Sequence, residues 1–131
     1  MTTSAVVHLR GFAGPVRGRV QWPEVRNPAL LVYFHLGPSN RDTARPDAVV
    51  LDVCLDPPYE TALRDAAAVL GWAADHGSEL GADPARLLVA GAGEGAVIAV
   101  AVALQARDEG WPEVELVTGE TPCMTDERTS T

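Results

Sequence analysis

The sequence predicts an α/β fold: a mostly parallel sheet entered through an N-terminal hairpin, with helices mainly on one face. Three observations point there. Residues 29–34, 48–54 and 87–90 are short runs that are apolar at nearly consecutive positions, as strands buried on both faces of a parallel sheet are. Segments of helical periodicity follow the second and third runs. A glycine-rich turn, Gly91-Ala92-Gly93-Glu94-Gly95, joins the third run directly to its helix. At 131 residues, 47% apolar and 21% charged, the chain reads as one domain over residues 1–118, with a polar, disordered tail over 119–131.

The elements follow in order. Residues 5–10 and 15–22 are strand-like runs around Gly11-Phe12-Ala13-Gly14, a hairpin signature. Pro23 and Asn27-Pro28 break the chain before the first buried strand. Residues 36–47 hold Gly37-Pro38 and Pro46 and read as a loop rather than a helix. Pro57-Pro58 opens a helix over 60–76 whose apolar stripe is Leu63, Ala66, Ala67, Leu70 and Ala74, with Gly77 expected just past its end. Gly81-Ala82-Asp83-Pro84 is a turn into the strand at 86–90. The helix over 94–108 is apolar all round at 96–104, which predicts burial on more than one side. Residues 114–118 form the last strand.

Composition excludes several functions. The net charge is −8, from 18 acids against 10 arginines, and there is no lysine. A Schiff-base lysine, a Walker-type phosphate lysine and a Ser–Lys pair are therefore ruled out. The arginines are scattered, so nucleic acid and anionic membranes are not expected partners. Cys54 and Cys123 are too few for a disulfide scaffold, and no His/Cys/Asp spacing suits a metal. The first ten residues lack a basic start and an apolar run, and residues 96–106 are about half a membrane span, so a cytoplasmic location is expected. No cofactor is expected.

Residues 59–76, then Glu79-Leu80-Gly81-Ala82-Asp83-Pro84-Ala85-Arg86 and the strand to Gly91, resemble the α/β-hydrolase fold, specifically the hormone-sensitive-lipase-like bacterial esterases. They are similar to the helix, the Asp-Pro-x-Arg turn and the strand leading into that family's nucleophile elbow. Residues 28–37, ending in His35-Leu36-Gly37, resemble its oxyanion strand and His-Gly-Gly loop, and the likeness extends over residues 28–118. The resemblance implies a truncated α/β-hydrolase-like sheet. It also implies an elbow of the form Gly-x-Ser-x-Gly, a strained turn that raises a serine above the sheet. Here Gly93 stands at the serine position and has no nucleophile. Pro38 in the oxyanion loop has no N–H to donate. The resemblance places the family's acid and histidine on later strands, so neither is expected within these residues.

The same residues admit other chemistry. Gly91 to Ala96 fits the dinucleotide pattern G-x-G-x-x-[GA], with Glu115 and Glu120 downstream as ribose-binding candidates, although Glu94 places a negative charge where a phosphate would sit. His35, expected at the carboxyl end of its strand, either orients the loop or forms an acid–base pair with Glu94, which Asp52, and less plausibly Asp56, would join. Ser39 is a turn residue or a displaced nucleophile. His8 and His76 read as surface residues. The candidate catalytic groups are thus His35, Glu94 and Asp52, and the candidate binding groups are His35, Gly37, Gly93, Glu94 and Gly95.

With no helix expected over residues 36–47, one sheet face is expected to lie open to water, at roughly 1.5–3 kcal/mol per large side chain. A homodimer or hetero-complex is expected to cover it. The expected function is that of a catalytically degenerate hydrolase-like module that binds a small ligand, with ester hydrolysis not expected. The alternatives are an acid–base isomerase, dehydratase or cyclase in the vacated pocket, and a residual esterase.

Overall fold

The computed structural model describes residues 3–37 and 45–117. Ser39, Glu120, Cys123 and the tail lie outside them. The order of elements is β1 (Thr3–Arg10), β2 (Pro15–Trp22), β3 (Ala29–Leu36), β4 (Ala48–Leu55), α1 (Tyr59–His76), a 3₁₀ turn (Gly77–Leu80), β5 (Asp83–Gly91), α2 (Glu94–Glu109) and β6 (Glu115–Leu116). One six-stranded sheet runs β1-β2-β4-β3-β5-β6. The hairpin is antiparallel and adds β2 antiparallel to β4, whereas β4, β3, β5 and β6 are mutually parallel. This is the predicted mixed α/β sheet. No helix among the described residues is long and apolar enough to cross a membrane.

Both helices pack on one face, as expected. Ala62, Ala66, Val69, Leu70 and Ala73 of α1 join Ile98, Ala99, Val102 and Ala106 of α2 over Leu30, Val32, Phe34, Val49, Leu51, Val53 and Val89. The α1 face is turned slightly from the predicted stripe, since Leu63, Ala67 and Ala74 are only partly buried. The turn brings Asp65 inside, where its Oδ1 accepts the Ala13 N–H at 2.9 Å and ties the hairpin tip to α1. Gly77 does not end the chain's helical path in a left-handed turn. The 3₁₀ turn continues it, and Gly81 at φ 81° supplies that conformation, its N–H bonded to the Ser78 carbonyl. Trp22 Nε1–H donates to the Leu80 carbonyl at 2.7 Å and fixes this turn against β2.

Three expectations need correction. Helix α2 is not buried on several sides: Val97, Val100 and Leu104 are 57%, 41% and 51% exposed, because α1 and the sheet cover only its opposite face. The last strand shortens from five residues to two, Glu115–Leu116, paired with Leu88 and Val89. The second sheet face, with Leu31, Tyr33 and Val50, is not open to water: Leu31 is 1% and Val50 0% exposed in the single chain. Leu31 lies between Val50 and Leu88 across the strands, and the patch is enclosed without a partner, although no described helix lies over it.

Candidate functional site

The junction of β5 and α2 is a sharp strand-to-helix turn. Gly93 stands at φ 58° and ψ −126°, a conformation that a residue with a side chain adopts only under strain. The flanking glycines allow the close approach that holds the turn. A Cβ on Gly91 would lie 2.2 Å from the Gly95 carbonyl oxygen, and one on Gly95 would lie 2.1 Å from the Phe34 carbonyl oxygen. The turn therefore rests directly on the end of β3, and the Ala92 N–H donates to the same Phe34 carbonyl at 3.2 Å. At Gly93 the space is open, with no atom within 4 Å of an added Cβ. The amides of Gly95 and Ala96 are bonded to the Ala92 and Gly93 carbonyls. Glu94 opens the helix, so its N–H is among the donors that a helix start leaves without an intrahelical partner.

The neighbouring loop is built around His35. His35 Nδ1 lies 2.7 Å from the Gly37 carbonyl oxygen, which can only accept, so this nitrogen carries a proton. Nε2 lies 2.6 Å from Asp52 Oδ1. A ring that also donates from Nε2 satisfies both contacts, so the Asp52 hydrogen bond raises the His35 pKa above its usual value, against the opposing effect of burial. The acid partner of His35 is thus Asp52, and Glu94 stands exposed on the first turn of α2. Of the two alternatives for His35, loop orientation and a pair with Glu94, the contacts fit the first, with Asp52 as the acid. With both nitrogens engaged, His35 anchors the loop. The Cys54 thiol donates to the same Gly37 carbonyl at 3.2 Å, and burial raises its pKa, which keeps it a thiol.

Gly37, at φ 84°, donates its own N–H to the Leu55 carbonyl at 2.8 Å. It is therefore unavailable to a ligand's oxyanion, and the sequence places proline next. His35 and Asp52 project from the sheet face opposite the helices, because they share the alternation of Tyr33 and Val50. The structure thus brings Gly93, Glu94 and Gly95 together in the turn and His35, Gly37, Asp52 and Cys54 in a second cluster. Asp56 is exposed just past β4.

A family model described as the α/β-hydrolase fold matches residues 53–131, which include the whole strand–turn–helix unit. The chain belongs to the α/β-hydrolase fold family. The esterase LipI of Mycobacterium tuberculosis is 34% identical over 126 aligned positions, covering 81% of this chain and 39% of that protein. The carboxylesterase NlhH of the same species is 37% identical over 112 positions, covering 72% of this chain and 35% of that protein. Among solved structures, the thermophilic carboxylesterase EstE1 from a metagenomic library superposes with a TM-score of 0.69 at 28% identity, covering 82% of this chain and 42% of that one. The chain spans about two fifths of the length of these relatives.

The matched residues contain the glycine pattern, which stands here as the strand-to-helix turn of a chain of the α/β-hydrolase fold family. Membership also corrects the functional expectation. The α/β-hydrolase relatives are esterases and carboxylesterases, which points to ester hydrolysis and not to a degenerate accessory module. The preserved turn was legible in the sequence. Asp52 as the partner of His35 was legible only in part, because strand register decides which acid faces the ring.

Proposed function

We propose that this chain acts on carboxylic esters, by addition of water to the ester carbonyl over the turn at the head of α2. The observation behind this reading is the turn itself: Gly93 keeps the strained conformation, and Gly91 and Gly95 keep the contacts that hold it against β3. An ester whose carbonyl oxygen meets the Glu94 N–H places the developing negative charge at a helix N-terminus, where it is favoured. Water adds to the carbonyl carbon, the tetrahedral intermediate expels the alcohol, and the proton that water loses is carried by the departing alcohol. No acyl-enzyme forms at position 93, which has no side chain.

The expected rate is modest. A hydrolase lacking a triad member retains roughly 10³–10⁴-fold acceleration from its oxyanion hole and substrate binding. Losing one donor, as the engaged Gly37 N–H implies, lowers that by about 10²–10³. Acceleration on the order of tenfold over buffer is expected with p-nitrophenyl butyrate. Gly93→Val should abolish it, because a β-branched residue does not tolerate φ 58°. Hydrolysis equal to matched buffer, or turnover unchanged in Gly93→Val, would overturn the proposal.

A further inference from the structure

On the sheet face opposite the helices, two rows of side chains cross the strands. His8, Arg17, Cys54 and His35 form one row, and Val6, Arg19, Asp52 and Tyr33 form the other. Val6, Arg17, Arg19, His35, Asp52 and Cys54 line a cavity of about 280 Å³ there. Arg17 and Arg19 are two residues apart on β2, so both guanidinium groups reach the same side. Both are exposed, and neither makes a hydrogen bond or an ion pair among the described residues. This pair stands out on a chain of net charge −8. Among the described residues, Asp52 is the one acid lining the cavity, and His35 holds it at 2.6 Å. Val6, 66% exposed, provides an apolar wall beside the arginines.

We infer that this cavity is a binding site for an oxyanion, a carboxylate or a phosphate, carried on a short apolar group. A guanidinium presents two parallel N–H donors that match a carboxylate or phosphate edge, and a second one two residues along adds charge without a new element. The volume admits a small acid, with its oxygens toward Arg17 and Arg19 and its alkyl part against Val6. The inference is independent of the turn at Gly93, which lies at the head of α2 and shares no residue with this cavity.

Thermal unfolding of the whole chain tests it, with sodium butyrate, sodium acetate and inorganic phosphate, each against sodium chloride of equal ionic strength. The expected result is a saturable rise in Tm of roughly 3–6 °C at ten times the Kd. Arg17→Gln with Arg19→Gln should remove the rise while leaving the unliganded Tm close to that of the parent, since both side chains are exposed. Butyrate acting at lower concentration than acetate, with the difference lost in Val6→Ser, assigns a carboxylate with an apolar tail. A rise with phosphate alone, lost in the double variant, assigns a phosphate. A shift no larger than that of chloride, or one undiminished in the double variant, overturns the inference.

Discussion

Substituting Gly95 by alanine tests whether the turn is held by contact with β3. The added methyl would sit 2.1 Å from the Phe34 carbonyl oxygen, 2.6 Å from its carbon and 2.8 Å from the His35 Cα. Ordinary contact begins at 3.4 Å, so α2 and β3 must separate by about 1.3 Å. All three obstacles are main-chain atoms, and Phe34 lies in the middle of the sheet at 0% exposure, so no side-chain rotation relieves the overlap. Overpacking by one methyl costs about 1–3 kcal/mol where side chains can adjust, and roughly 3–5 kcal/mol is expected against a fixed backbone. Alanine's better helix propensity returns about 1 kcal/mol, leaving a net loss of about 2–4 kcal/mol. Gly93→Ala provides the control, since its methyl meets nothing within 4 Å and its cost of about 1–2 kcal/mol comes from backbone conformation alone. Urea unfolding followed by circular dichroism reads both values. Gly95→Ala as stable as Gly93→Ala would refute the account of a turn braced on β3.

Three further perturbations probe the surroundings of the site. His35 has a raised pKa, so its stabilising contribution is complete below about pH 6.5 and is lost as pH rises through the higher folded value. Unfolding free energy should therefore fall from pH 6.5 upward, and the slope should flatten in His35→Gln. Asp65→Ala leaves the Ala13 N–H without its acceptor, at a cost of roughly 1–3 kcal/mol, and amide exchange at the hairpin tip should accelerate more than that of β3. Leu31→Ala, on the enclosed second face, should cost about 2–5 kcal/mol in a protein that native mass spectrometry finds monomeric; a dimer broken by this substitution would instead restore the association expected from sequence.

Local chemistry was what the sequence expressed well. The nearly continuous apolar runs of β3 and β4 identified strands buried on two sides, and the helix from Tyr59 and the hairpin around Gly11 fell where periodicity and turn residues place them. The elements that went astray depend on what lies across from them. The all-apolar stretch of α2 says nothing about whether a neighbour covers Val97, Val100 and Leu104, so burial was overestimated there. Asp65 went unnoticed in α1 because its reason for being inside, the Ala13 amide, is 52 residues away. In the same way, the choice between Asp52 and Glu94 as the partner of His35 rests on parallel register between β3 and β4, which pairs Tyr33 with Asp52 and His35 with Cys54. No local pattern encodes that alignment.

The elbow separates two requirements that a hydrolase usually meets together. Its shape depends on Gly91 and Gly95, whose missing side chains let α2 rest on β3, and on the paired strands beneath. Position 93 contributes only a backbone conformation, and glycine reaches φ 58° with less strain than any other residue. A glycine there is therefore compatible with full retention of the scaffold, which explains why the turn persists without a serine. The converse also follows from the same geometry. Because an added Cβ at position 93 meets no atom within 4 Å, Gly93→Ser should fold with only the backbone cost of about 1–2 kcal/mol and should raise a hydroxyl clear of the sheet. His35 is not free to act as its base, since both of its nitrogens are already engaged by Gly37 and Asp52. The serine variant should thus be stable, yet hydrolyse p-nitrophenyl butyrate at a rate close to that of the parent, and a gain of a hundredfold or more would mean that His35 leaves Asp52 to serve it.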